Sequence, residues 1–348
     1  MGLLVKLAVR GLSLLGVLLA VLLLVVVALG ATGLSDKVLG AIVNEEIRGL
    51  RQSLAQTIRD PDELERALQA RREQLVEFYG LDRPWYLRMP DTVRRVLLLD
   101  LGSARTLKSF AGSTLVSDIV LERLPNTMLL VTTALAISAA IGLAVGVKLA
   151  TSVGSKIDRV VSYLSAASFA VPTWWAGILL IILFSFQVRI FPFGGMFSPT
   201  PPGSALERIA DLLWHAALPI LTLVAVSVGG WTYTVRTMVL NTAQEDFVTV
   251  ARAKGLPERI VMRRHILRVA ALPILTSIIL GLAGSLGGAI LTETVFNWPG
   301  MGRLYYDAIL ALDEAVVIAL TFVFTLVYVA ARFTLEILYL VLDPRVRY

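Results

Sequence analysis

Cysteine is absent from this chain, and histidine occurs only at His215 and His265. Without a thiol there is no disulfide framework, no thiolate metal site and no cysteine nucleophile. Two histidines so far apart cannot form a histidine-rich metal cluster within one chain. Charge is scarce as well, at 17% of 348 residues against 56% hydrophobic residues. No soluble core of this length needs so much apolar surface, so the composition belongs to a membrane protein. The sequence also lacks a GxxxxGK[ST] loop, an HExxH pair and any Ser-His-Asp or paired-carboxylate arrangement in a fitting context. No catalytic, cofactor-binding or metal-binding residue is therefore expected. The net charge of +6 would suit nucleic acid, but basic residues in a membrane protein are first sorted by side of the bilayer, and no nucleic-acid partner is expected.

What is present is a series of long apolar runs. Gly11 to Ser35 carries no charge and follows Lys6 and Arg10, long enough to cross a hydrocarbon layer of roughly 30 Å as a helix. A cleaved signal peptide is the rival reading, since Ala28-Leu29-Gly30 resembles a small-residue cleavage site, although the apolar stretch exceeds the usual h-region. Further runs lie at about Met128 to Val147, Val160 to Val188, His215 to Val235, Val269 to Leu291 and Ala315 to Val341. The expected fold is thus all-α and polytopic, with six transmembrane helices and both termini on one side. If that side is the cytoplasm, its short segments hold Lys6, Arg10, Lys148, Lys156, Arg159, seven basic residues from Arg236 to Arg268, and Arg332, Arg345 and Arg347. The two short external loops hold only Arg189, Arg208 and Arg303. The excess of positive charge places both termini in the cytoplasm.

Three segments follow: residues 1–35 with the first span, a polar insertion at 36–126 and a core at 127–348. Acidic and basic residues balance in the insertion, fourteen of each, so it says little about orientation. Asp60-Pro61 opens a helix there, with acidic Asp62, Glu63 and Glu65 near its start and Gly80 as its stop. Leu64, Leu68, Leu75 and Phe78 give it an apolar stripe, as expected of a small extracytoplasmic helical cap. Within the spans, Pro172, Pro219 and Pro273 kink or start helices. Gly142 with Gly146, and Gly284 with Gly288, allow close helix approach, for packing or for a dimer face. No span carries a central charge, which tells against ion-coupled transport.

The polar, basic stretch from Arg236 to Pro273 interrupts two apolar runs. Gly255 suits the positive φ of a helix C-terminus and Pro257 the first turn of the next helix, so two short helices meeting at a rigid bend are expected over 236–268. Phe247, Val250, Ala251 and Leu256 would offer an apolar face to a partner groove. Arg252, Arg259, Arg263 and Arg264 would offer donors to carboxylates or lipid phosphates. The competing reading is an ordinary positively charged cytoplasmic loop.

The stretch EDFVTVARAKGLPERIVMRRHILRVAALP at 245–273 resembles the cytoplasmic loop of permease subunits of ATP-binding-cassette importers, in the dipeptide, oligopeptide and nickel subfamily. YGLDRPWY at 79–86, DLGSA at 100–104, ERLPNT at 122–127, SFAVPTWWAG at 168–177, FPFGG at 191–195, TETVFNWPGMGRLYYDAI at 292–309 and LDPRVRY at 342–348 agree in order. The resemblance leaves out only about residues 36–60. It departs where Thr249-Val250-Ala251 replaces the family-wide Glu-Ala-Ala, and where Phe333, Thr334 and Glu336 stand in place of Asn and Asp near the end of the last helix.

The resemblance implies import into a prokaryotic cell across its plasma membrane. A binding protein outside delivers the solute, this chain and a second homologous permease subunit alternate access, and two ATPase subunits hydrolyse ATP. The implied ATPase contact runs from Glu245 to Arg264 and includes Glu245, Asp246, Phe247, Ala251, Arg252, Gly255, Leu256, Arg259 and Arg263. Candidates for the pathway or gate are Ser168, Pro172, Thr173, Trp174 and Trp175, then Thr222, Ser227 and Trp231, and finally Trp298, Pro299 and Gly300. The Asn297 to Gly302 turn reads either as a membrane-boundary turn with an interfacial Trp or as a re-entrant external gate. Peptides are the implied solute, with oligosaccharide or nickel-chelate substrates as alternatives. A membrane scaffold without transport activity is the runner-up from another class.

Overall fold

The computed structural model describes residues 3–200, 203–285 and 289–342. Gly288 and the C-terminal fragment beyond Leu342, with Arg345 and Arg347, lie outside the described residues, as does the side chain of Lys6. Thirteen helices follow in order among the described residues: α1 Leu3–Thr32, α2 Leu34–Leu54, α3 Pro61–Phe78, α4 Trp85–Leu97, α5 Val116–Ala150, α6 Lys156–Ala170, α7 Thr173–Gln187, α8 Ala205–Ala243, α9 Asp246–Ala253, α10 Glu258–Ser285, α11 Ile290–Val295, α12 Met301–Leu310 and α13 Glu314–Leu342. Among the described residues there is no strand, only an isolated antiparallel bridge between Ser103 and Leu115.

Five helices are long and apolar enough to cross a membrane: α1, α5, α8, α10 and α13. A sixth span exists only if α6 and α7 count as one, and these are bent by 94° at their break. The bend falls at Val171-Pro172, where Pro172 caps α7 in an extended conformation, as the ring and the missing N–H of proline require. Pro219 and Pro273, by contrast, lie inside unbroken helices. The helices also extend past the apolar runs. α8 begins ten residues before His215, at a capping box formed by Ser204 and Glu207, because the N-cap, not the apolar signal, sets where a helix starts.

The chain forms two compact units. The first comprises residues 1–14, 120–306 and 326–348, the second residues 15–119 and 307–325. In the first, α5 packs along α8, and α6, α7 and α10 also pack on α8. The α5–α8 approach is close: a Cβ on Gly142 would lie 2.6 Å from Trp231 Cβ, and one on Gly146 2.8 Å from the Thr232 carbonyl oxygen. These small residues therefore serve packing inside the chain, whereas Gly284 faces open space. A buried ion pair ties α6 to α8: Arg236 donates from Nε and Nη2 to the Asp158 carboxylate at 2.6 and 2.8 Å.

In the second unit, α2 and α3 form a hairpin held by Arg51–Glu65 and Arg71–Glu46 ion pairs at 2.5 and 3.0 Å. α3 starts as its sequence dictates, with the Asp60 carboxylate accepting from the Asp62 N–H at 3.0 Å and Pro61 in the first turn. Its inward stripe is Leu68 and Leu75, and Phe78 at its last turn is exposed. The apolar stripe expected to include Phe78 is thus shorter, because the chain turns away at Gly80 one residue after the cap. Asp313 is fully buried in this unit, and its Oδ2 accepts from the N–H groups of Arg105 and Thr106 at 2.7 and 2.8 Å.

Candidate functional site

Four fragments that are distant in sequence meet around Phe296, Glu293 and Trp298 in the first unit. Asn297 takes a positive φ of 51°, turning the chain back so that the Trp298 N–H reaches the Glu293 carbonyl at 2.8 Å. The Trp298 indole N–H donates to the Asn126 carbonyl at 3.0 Å, and the Asn126 side-chain amide donates to the Pro299 carbonyl at 2.8 Å. The two segments thus satisfy one another in both directions. Trp298 is fully buried against Leu130 and Ala216. The expected interfacial tryptophan is therefore corrected to a core residue, because its N–H finds a protein acceptor and does not need the membrane surface.

The Glu293 carboxylate lies under this turn with no exposed surface. Thr127 Oγ1 donates to Oε1 at 2.9 Å, the Arg303 N–H donates to Oε2 at 2.9 Å, and Thr127 Oγ1 itself accepts from the Met301 N–H at 2.7 Å. Burial pushes the Glu293 carboxyl above its usual range, and these hydrogen bonds oppose the shift. Gly300 is required here, since a Cβ would collide with both the Glu293 carboxylate and the Thr127 hydroxyl. On the other side, the Gly195 N–H donates to the Phe296 carbonyl at 2.9 Å, and Gly177 lies 3.0 Å from the Phe296 ring by the Cβ it lacks.

The second candidate site is the corner between α9 and α10. Gly255 has φ 73°, its N–H donates to the Arg252 carbonyl at 2.9 Å and the Leu256 N–H to the Ala251 carbonyl at 3.4 Å. That is a Schellman motif, in which a left-handed residue closes the helix and satisfies its last carbonyls. Val248, Ala251, Val261 and Ile266 are buried in one cluster with Val235 and Val239 of α8, and Leu256 packs against it. Ala251 and Leu256 therefore point inward, correcting the expected outward face, which reduces to Phe247 and Val250. Arg252 is also engaged within the chain, donating to Glu258 at 3.1 and 2.7 Å across the turn. Pro257 is the cap of α10 and not its first residue. The second helix is not short either: it runs from Glu258 to Ser285 and continues through Pro273. Glu245 caps α9 from an exposed position, and Asp246, Arg259 and Arg263 are exposed.

A family profile described as "Binding-protein-dependent transport system inner membrane component" matches residues 139–348, which include both sites except Asn126, Thr127 and Leu130. The chain belongs to this family. It is similar to the oligopeptide transport system permease protein AppB of Bacillus subtilis (strain 168), at 33% identity over 280 residues covering 80% of this chain and 86% of AppB. It is also similar to the "Probable D,D-dipeptide transport system permease protein DdpB" of Escherichia coli (strain K12), at 32% identity over 302 residues covering 81% and 86% of the two chains. The protein is accordingly a multi-pass permease component of a binding-protein-dependent transport system.

The other gate candidates of this permease are dispersed. Ser168 is half-buried on α6, where its hydroxyl donates to the Ser165 carbonyl at 2.9 Å and occupies the space left by Gly229. Trp231 is half-buried beside Gly142 and Gly281. Thr222 and Ser227 bond back to carbonyls of their own helix at 2.8 and 2.6 Å. Pro172, Trp174 and Trp175 are exposed, and Thr173 is half-buried beside them. Trp298, Pro299 and Gly300 come together over the Glu293 carboxylate, and Thr222 lies beside Gly177 next to the Phe296 ring. Sequence reasoning assigned no role to Asn126, Thr127, Glu293, Asp158 or Asp211. The first three lie inside quoted fragments, so the fragments located them without saying what they touch. Asp211 accepts from Ser198 N–H and Oγ at 2.8 and 2.7 Å and lies 3.2 Å from His215. Among the described residues no group of three or more His, Asp or Glu could hold a metal ion.

Proposed function

We propose that this chain is one of two homologous permease subunits in a peptide importer of a prokaryotic cell membrane, with both termini in the cytoplasm and residues 36–126 outside. The excess of basic residues in the segments that include the α9–α10 corner supports that orientation. The names of the relatives favour oligopeptides or dipeptides as the solute. An external binding protein delivers the peptide, and two ATPase subunits on the cytoplasmic side hydrolyse ATP.

The observation that carries this reading is the two-sided corner. Its inner side is anchored by Val248, Ala251 and Val261, while Phe247, Val250, Arg259 and Arg263 are exposed on the outer side. The guanidinium groups of Arg259 and Arg263 have no side-chain partner among the described residues, and a helical corner locked by a Schellman turn transmits a push without bending. An ATPase cleft that grips Phe247 and these arginines moves α8 and α10 together, because both continue from the corner. At the other site, the Asn297 to Gly302 turn serves as an external gate, held closed by Asn126 and Glu293.

Purification of the intact assembly tests the reading. An ATPase subunit should co-purify with the chain, and loaded binding protein should stimulate ATP hydrolysis. Gly255→Pro and Arg259→Glu should each retain membrane insertion while uptake falls. Normal uptake and normal ATPase co-purification in both variants would refute the docking role.

A further inference from the structure

The second unit contains a cavity of about 1110 Å³ that the transport reading does not use. One wall is apolar and comes from the ends of two long helices: Val26 and Gly30 near the end of α1, Ala315 and Ile318 at the start of α13. The cavity therefore sits at the level where membrane-length apolar helices give way to polar chain. Trp85 marks the same level, its ring packed so tightly on Gly30 that a Cβ there would lie 2.5 Å from it, as suits an aromatic residue at a membrane boundary. The opposite wall is charged. Four arginines and four carboxylates line the space. Arg88 is held by Asp36 at 2.6 Å, yet its buried Nε has no hydrogen-bond partner. Arg94, Arg95 and Asp91 line the cavity from α4 with no side-chain partner among the described residues.

We infer that this cavity binds the headgroup of a zwitterionic phospholipid bearing a primary ammonium, that is, phosphatidylethanolamine. The phosphate supplies acceptors for the open arginines, the ammonium supplies donors for Asp91 and its neighbours, and an acyl chain runs along the wall of Val26 and Ile318. Balanced lining charge disfavours an anionic headgroup, which would leave the carboxylates unpaired. A free zwitterion, such as a short peptide, matches the charges but leaves the apolar wall unused.

The test is native mass spectrometry of the full chain, with whatever subunits co-purify, after delipidation and addition of defined lipids. Dioleoylphosphatidylethanolamine should be retained in preference to dioleoylphosphatidylglycerol and dioleoylphosphatidylcholine. The double variant Arg94→Ala/Arg95→Ala should lose about tenfold or more in retention, since a charge-assisted hydrogen bond contributes about that factor. Its thermal unfolding without lipid should match wild type, because both side chains are exposed and unpaired. Asp91→Asn should erase the preference over phosphatidylglycerol. Equal retention of the three lipids, or unchanged retention in the double variant, overturns the assignment. So does equal retention of soluble glycerophosphoethanolamine or dialanine, which would make the site one for a free zwitterion. None of these outcomes depends on transport.

Discussion

Thr127 Oγ1 donates to the buried Glu293 carboxylate at 2.9 Å across 166 residues of chain. The bond joins the membrane-length helix α5 to the underside of the Trp298 turn, and its value lies in what would remain if it were broken. Three donors, the Thr127 hydroxyl and the N–H groups of Arg303 and Ala289, have this carboxylate as their acceptor, the last at 3.4 Å.

Removing the acceptor should therefore cost more than removing its charge. Glu293→Ala orphans these donors, at about 1–3 kcal/mol for each one left without a partner, whereas Glu293→Gln keeps one acceptor oxygen. Thermal unfolding in detergent should rank wild type above the Gln variant and the Gln variant above the Ala variant. Equal midpoints for the two variants would contradict this network.

The same carboxyl sets a pH dependence. Burial raises its folded-state pKa above the usual 4.5, so between 4.5 and the raised value the folded protein binds more protons than the unfolded chain. Stability must then fall as pH rises through that window. Compared with Glu293→Gln, which does not titrate, wild type should lose unfolding midpoint as pH rises from 4.5 and level off above the window. A wild-type advantage that grows with pH over this range would show that the hydrogen bonds outweigh desolvation.

At Gly255 the backbone φ of 73° decides the outcome, since a Cβ there would meet open space. Gly255→Asn should retain most uptake, because Asn tolerates the left-handed region, while Gly255→Val should lose it at a cost of about 1–2 kcal/mol. Vesicle uptake with ATP hydrolysis measured in parallel distinguishes lost coupling from lost folding. Equal uptake by both variants would mean that the turn's shape is unimportant.

The Asp158–Arg236 pair ties α6 to the helix that leads into the corner. Asp158→Ala leaves a largely buried guanidinium without its partner and should destabilise by roughly 3 kcal/mol. The double variant Asp158→Ala/Arg236→Ala should recover part of that loss. A double variant as unstable as the sum of the singles would show that the two groups are not coupled.

Gly142 and Gly284 make an internal control. Gly142→Ala places a methyl 2.6 Å from Trp231 Cβ and should destabilise by about 1–3 kcal/mol through overpacking. Gly284→Ala meets nothing within 4 Å and should be neutral or stabilising by up to about 1 kcal/mol, because Ala favours the helix. Comparison of their unfolding midpoints checks both signs.

The sequence by itself determined the features that depend on neighbouring residues. An uncharged run from Gly11 to Ser35 is long enough to span whatever it packs against, Asp60-Pro61 must start a helix, and Gly255 must end one, since length, capping and φ are local properties. The tertiary structure decided which side of each helix faces inward and which distant groups meet. The α9 periodicity could not say that Ala251 points into the core while Phe247 stays out, because Val235, Val239 and Val261 lie on other helices. Nor could the Asn297 to Gly302 turn show that Trp298 would be buried. That outcome rests on an acceptor at Asn126 and a carboxylate at Glu293, and buried hydrogen bonds are satisfied by proximity in space, which no local pattern records.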